Sequence, residues 1–228
     1  MITQIYSIQS PEEALACIEA GADRIGVLTE EPGGPYPCGV TTEECRRIFA
    51  AIGDRAVKVL ISTRKTEEEI LAETADLLPD VLHLCAEYRG NPKFREKLRD
   101  IAPSVQLMEA IGVMDESAVG DAIYRAGYAD LLLLDTIAED VPGIGAAGKT
   151  HDWSIDRRIV ESVAVPVILA GGLGPDNVRD AIAAVGPWGV DSLTKTSVKE
   201  NGILLRKDID KVREFCRIAH EAEEGMNA

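Results

Sequence analysis

Eight short β-rich runs alternate with helical segments along this chain, and that alternation constrains the fold more than any other feature. The runs lie near Ile2–Ile8, Arg24–Thr29, Val57–Thr63, Val81–Ala86, Val105–Ile111, Leu131–Thr136, Val165–Ala170 and Val190–Thr194. Helix signals fill the gaps. Ser10-Pro11-Glu12-Glu13 combines a cap residue, a proline at the first helical position and acids that suit the helix dipole. Gly21 stops that helix. Thr41-Thr42-Glu43-Glu44 and Thr66-Glu67-Glu68-Glu69 open two more, and Lys207 to about Glu224 closes the chain as an amphipathic helix.

Strict β–α alternation predicts a parallel sheet. Leu131-Leu132-Leu133-Leu134 is apolar without a break, as expected of a strand covered on both faces. Eight such units predict an α/β fold, a single (β/α)8 TIM barrel over residues 1–228. A doubly wound open sheet is the rival, but the first βα turn, Ser7-Ile8-Gln9-Ser10, lacks the glycine-rich nucleotide fingerprint.

The net charge of −15 argues against general affinity for nucleic acid or anionic membranes, though not against a local cationic pocket. No apolar stretch approaches membrane-span length, and the first residues carry no secretory pattern. Five cysteines without CxxC spacing suit a reducing compartment, so a cytoplasmic protein is expected. Scattered acids and three histidines form no ligand motif, and neither metal nor other cofactor is expected. Monomer and homodimer both remain open.

Barrel active sites lie at the C-terminal ends of the strands. That rule selects Tyr6, Arg64, Cys85, Glu109, Asp135, Gly171-Gly172 and Thr194-Lys195. Gly171-Gly172 ends the seventh strand just before a helix start. Main-chain amides without a neighbouring Cβ can approach a phosphate there, with Thr194 and Lys195 completing the cradle. Asp135, at the edge of a tetra-leucine strand, suits a general acid. His83 and Cys85 share side-chain parity, so both face the interior or neither does. Residues 143–150 form a glycine-bearing loop of lid character around Gly148.

These stretches resemble one family. "SPEEALACIEAGADRIGV", "LLLLDT", "GKTHDWSI", "PVILAGGLGPDNVRDAI", "PWGVDS" and "KDIDKVREF" are similar to phosphoribosylanthranilate isomerase, a barrel enzyme of tryptophan biosynthesis. The resemblance spans nearly the whole chain. It implies an Amadori rearrangement of an aminoaldose phosphate, with Asp135 protonating the ribose ring oxygen. It further implies that Gly171-Gly172 and the strand-eight loop hold the phosphate, and that the loop around Gly148 closes over the substrate.

Several positions depart from the family pattern. The family's first strand reads Lys-Ile-Cys-Gly-Ile-Thr, its cysteine being the base; here Tyr6 stands at that position. An ordinary phenol, with pKa about 10, is a poor base at neutral pH. The family's arginine after strand two has no counterpart in residues 30–35, and the strand-eight Ser-Gly becomes Thr194-Lys195. The acid and the phosphate half persist, while the base and the aglycone half are rewritten. Glu109 is the first substitute base and Cys85 the second, because a carboxylate facing Asp135 would split the pair's pKa values. Arg64 is a candidate for binding an anionic substrate.

The expected function is therefore isomerisation of a phosphorylated sugar or aminosugar, its partner a small phosphorylated substrate. Two alternatives stand beside it. One is a non-catalytic barrel that binds a phosphometabolite. The other is a lyase or aldolase using Lys195 as a Schiff base, which needs that lysine in a desolvated pocket.

Overall fold

The computed structural model describes residues 1–31, 34–36, 38–136, 153–200 and 203–226. Eight parallel strands close into a barrel: β1 (Ile2–Ile5), β2 (Arg24–Thr29), β3 (Val57–Ser62), β4 (Val81–Leu84), β5 (Gln106–Gly112), β6 (Leu131–Asp135), β7 (Val167–Leu169) and β8 (Gly189–Ser192). Each pairs with the next, and β8 returns to β1 through Ile2 opposite Gly189 and Ile5 opposite Ser192. The eight-unit reading is therefore correct, and the open sheet is excluded by closure.

Eight helices are described around it: α1 (Pro11–Glu19), α2 (Thr42–Ile52), α3 (Glu67–Leu77), α4 (Pro92–Ile101), α5 (Ser117–Ala126), α6 (Trp153–Ser162), α7 (Val178–Val185) and α8 (Ile209–Met226). Their starts follow local chemistry. Ser10 accepts from the Glu13 amide, and Pro11 sits where no donor is needed. Thr66 and Glu69 form a reciprocal capping box. Asn91 caps α4 through the Phe94 amide.

Strand parity creates two cores. Ile5, Ile25, Leu132, Leu134, Phe94 and Phe215 belong to the layer between barrel and helices. Val59, Ile61, Val81, Met108, Leu131 and Leu133 fill the interior with Tyr6 and Leu28. The tetra-leucine strand feeds both cores by turns, which is why it is apolar throughout. Each fully buried leucine contributes about 1.5–3 kcal/mol.

One boundary differs from expectation. Lys207 does not open the last helix; it ends β10 (Ile203–Lys207), which pairs antiparallel with β9 (Ser197–Glu200). The sequence does carry a hairpin signal, Asn201-Gly202, between the two runs. Among the described residues, no helix is long and apolar enough to cross a membrane.

The Tyr6 ring needs an absent side chain opposite. A Cβ built on Gly26 would stand 2.1 Å from Tyr6 Cδ1. Gly26→Ala is therefore expected to destabilise the fold by about 1–3 kcal/mol, as overpacking does, read by urea denaturation. The loss should vanish in a Tyr6→Ala background; a cost that persists there would locate the clash elsewhere.

Candidate active site

The polar interior is built upward from the amino-terminal end. Arg24, at the start of β2, places its guanidinium 5.7 Å from the Trp188 ring centroid. Its Nε donates to Gln4 Oε1 at 2.9 Å, and Gln4 Nε2 donates to Asp191 Oδ1 at 3.2 Å. Asp191 is 5% exposed. Burial pushes its carboxyl up to about 8, and the negative charge of Asp135 adds to the shift. Asp135 ends β6 with the parity of Leu131 and Leu133, which puts it on the interior side; its Oδ1 accepts from the Thr136 amide at 2.6 Å.

Above Gly26 the Tyr6 hydroxyl lies 2.7 Å from His83 Nδ1, both side chains buried. Desolvation drives the imidazole down to about 3 and the phenol well above its ordinary value, so both stay neutral. In the tautomer in which Tyr6 donates to Nδ1, the proton of the imidazole sits on Nε2. That Nε2 is buried and has no hydrogen-bond partner among the described residues.

The parity reading holds for β4: His83 and Cys85 both face inward, Cys85 packing against the interior core. Burial pushes the Cys85 thiol up to about 12, which makes it a poor base. Glu109 departs from expectation. On β5, Met108 faces the interior, while Leu107 and Ile111 face the helices. Glu109 shares the parity of the latter pair and is 0% exposed. It accepts from the Gly90 amide and from Arg125 Nη1, each at 2.9 Å. It cannot face Asp135; the interior carboxyl that feels the charge of Asp135 is Asp191. Arg64 is likewise committed, bonding Glu73 at 3.1 Å and pairing with Glu31.

At the ends of β7 and β8, Gly171 and Gly172 adopt φ of 87° and 64°. Such backbone favours glycine, so the pair is required by geometry. Asn177 braces the turn, donating to the Gly172 carbonyl at 3.1 Å and accepting from the Gly174 amide at 2.9 Å. Ser192 Oγ donates to the Leu173 carbonyl at 2.7 Å, tying the two loops together. Thr194 and Lys195 are half-buried beside them, and Lys195 Nζ pairs with Asp176 at 2.5 Å. Beneath this loop, buried Lys207 donates to the Leu193 carbonyl and Ser197 Oγ. Gly148 and its loop lie outside the described residues. Among the described residues, no cluster of His, Cys, Asp and Glu could hold a metal ion.

This arrangement can bind a phosphate at one side of the mouth and handle a proton between two interior carboxyls. The family model for N-(5'-phosphoribosyl)anthranilate isomerase matches residues 5–217. The chain belongs to the phosphoribosylanthranilate isomerase family. The isomerase of Methanocella arvoryzae is 34% identical over 212 residues, covering 93% of this chain and 94% of that protein. The solved isomerase of Thermotoga maritima superposes with a TM-score of 0.78 at 27% identity, over 97% of this chain and all of that one. A second solved isomerase, in complex with reduced 1-(o-carboxyphenylamino)-1-deoxyribulose 5-phosphate, gives 0.75 at 26% identity, with 97% and 100% coverage.

Sequence reading missed Asp191 and Gln4. The signal for Asp191 was present: β8 alternates, and the neighbour of outward Val190 must point inward.

Proposed function

We propose that this isomerase-family chain carries out an Amadori-type rearrangement of an N-phosphoribosylated amine, using Asp135 and Asp191 as a carboxyl pair that shares one proton. The observation behind it is the elevated carboxyl of Asp191, whose burial and nearness to Asp135 set the two groups apart in acidity. The shared proton passes from Asp191 to Asp135 at the rim, which gives it to the ribose ring oxygen as the C1–O bond breaks and the nitrogen lone pair forms an iminium. Asp191, then the ionised member, takes the proton from C2. The C2–H electrons form the C1–C2 double bond, and the resulting enolamine tautomerises to the aminoketose. The Tyr6–His83 pair keeps its protons and offers His83 Nε2–H to a substrate oxygen. The phosphate rests on the amides of Gly171 and Gly172, with Thr194 and Lys195 beside it.

Incubation with N-(5'-phosphoribosyl)anthranilate, followed by loss of its fluorescence, tests the reading; no turnover of it or of related phosphoribosylated amines defeats it. Activity should fall as pH rises through about 8, when the last proton leaves the carboxyl pair. A flat profile from pH 7 to 10 would deny the pair its shared proton. Gly172→Ala forces a Cβ into the φ of 64°. It should raise KM at least about tenfold through a displaced phosphate loop, measured in the same assay, with a strain cost of about 1–2 kcal/mol.

The replacement of the family thiolate by Tyr6 favours a second reading, a barrel that binds a phosphometabolite without turnover. Stabilisation by sugar phosphates without conversion would support it. The lyase reading needs a desolvated Lys195, whereas its amine is ion-paired with exposed Asp176.

A further inference from the structure

We propose that Gln4 and Arg24 are positioning residues for Asp191: Arg24 fixes the Gln4 amide, and that amide orients the carboxyl and passes on an attenuated share of the Arg24 charge. The proposal rests on the isomerase reading above and deepens it by naming what regulates the acidity of its carboxyl pair.

The first ground is register. Gln4 stands opposite Asp191 of β8 and opposite Arg24 of β2. Three neighbouring strands therefore bring the three side chains to one level of the barrel. All are buried, Gln4 at 0%, Arg24 at 3% and Asp191 at 5% exposure. Arg24 Nε donates to Gln4 Oε1, and Gln4 Nε2 donates to Asp191 Oδ1. A guanidinium only donates, so it must meet the amide oxygen, and the amide nitrogen is then turned towards the carboxyl. Reversing the amide would break both bonds. Gln4 thus has one orientation, dictated from β2. Among the described residues it is also the single hydrogen-bond donor to the Asp191 carboxyl, so Oδ2 is left to carry the shared proton.

The second ground is an uncompensated charge. Arg24 makes no ion pair among the described residues, and its buried Nη2 has no hydrogen-bond partner there. Burying a charge without a counter-ion is costly. The Trp188 ring, 5.7 Å from the guanidinium, holds it at the amino-terminal end of the barrel. From there its charge favours ionised Asp191. A direct arginine–aspartate pair would pull a carboxyl down by about 1–3 units and strip it of its proton at neutral pH. With one amide between them, the orientation is kept and Asp191 still titrates at about 8.

The other groups facing Asp191 cannot fill this role. Asp135 of β6 opposes its ionisation. Burial holds Tyr6 of β1 and Cys85, just past β4, in their neutral forms. Lys207 of β10 favours ionisation, but its ammonium is committed to the Leu193 carbonyl at 3.2 Å and Ser197 Oγ at 2.9 Å.

Carbon-13 NMR of aspartate-labelled protein without substrate tests this, the Asp191 carboxyl being assigned by its loss in Asp191→Asn. The wild type should show a midpoint at about 8. The Gln4 bond and the Arg24 charge both favour the ionised form, so removing either raises the midpoint. Gln4→Met should raise it by about one unit and Arg24→Met by about half a unit, while Arg24→Lys, which keeps a charged donor, should recover most of the change. In the fluorescence assay Gln4→Met should lower kcat by about 10–100-fold with KM within about threefold of wild type, and the alkaline fall of kcat should move up with the midpoint. A barrel that is merely loosened loses activity without that shift. Where a thermal melt shows that Gln4→Met does not fold, Gln4→Asn, too short to span both neighbours, takes its place. Where Arg24→Met does not fold, Arg24→Gln, neutral but still a donor, does so. A midpoint unmoved or lowered in the folded Gln4 variant overturns the Gln4 role. A midpoint unmoved in the neutral Arg24 variant, or not recovered by lysine, overturns the Arg24 role. A protein that shows the shifts yet converts nothing keeps the network and loses the isomerase reading; turnover with unmoved midpoints does the reverse.

Discussion

Asp135→Asn is expected to lower kcat by about 10²–10⁴-fold, the range that positioned proton transfer supplies. The substitution isolates the proton because asparagine keeps an oxygen for the Thr136 amide, 2.6 Å from Asp135 Oδ1. The β6 backbone is held on both sides, by Gly112 opposite Asp135 on β5 and by Leu169 opposite Leu134 on β7. The fold and the phosphate loops should therefore persist, and binding of the reduced product analogue should change by less than about threefold. The fluorescence assay and a thermal melt read the two quantities side by side. If turnover stays within threefold of wild type, the proton comes from elsewhere and Asp135 is not the acid.

Asp191→Asn should abolish turnover to a similar extent and also make the protein more stable at pH 8. The sign follows from linkage. The folded-state carboxyl, at about 8, lies above the ordinary 3.8. The folded chain therefore holds this proton more tightly than the unfolded chain does. Stability from this group is fully present below about 4 and is lost as pH climbs towards about 8. By then an ionised carboxylate occupies an apolar barrel, opposed by Asp135 and relieved by Gln4. Asparagine removes that cost, which is on the order of a few kcal/mol. Glu109, raised by burial to about 7, adds a slope of the same sign between about 4.5 and 7. Urea denaturation at pH 5 and pH 8 checks the claim. The wild type should lose stability between them, and Asp191→Asn should lose distinctly less. Equal losses in the two proteins would mean that Asp191 is not strained by its surroundings. An active site that stores such strain trades stability for proton transfer.

The barrel was readable because every strand is covered on both faces and four of the helices begin with a side-chain cap. Ser10, Thr41, Thr66 and Asn91 announce helices by local hydrogen bonding, which needs no tertiary knowledge. The glycine pair was readable for the same reason: positive φ is a local requirement. Glu109 was not. Leu107 and Met108 are both apolar, so the pattern of β5 hides which face is inward. The partner that draws Glu109 outward, Arg125, lies sixteen residues away on α5. Tyr6 was seen as a departure, but its partnership with His83 and its seat above Gly26 are contacts across the barrel that no local pattern reports.

The central claim is that an isomerase site works here around two interior carboxyls and a glycine-held phosphate. A crystal structure with the reduced product analogue tests it most directly. The account predicts phosphate oxygens against the Gly171 and Gly172 amides and the sugar C2 within reach of Asp191, with Asp135 facing the oxygen on C4. Phosphate held instead among Lys195, Lys199 and Lys211, in the open cavity beside the β9–β10 hairpin, with the sugar outside the barrel, would contradict it.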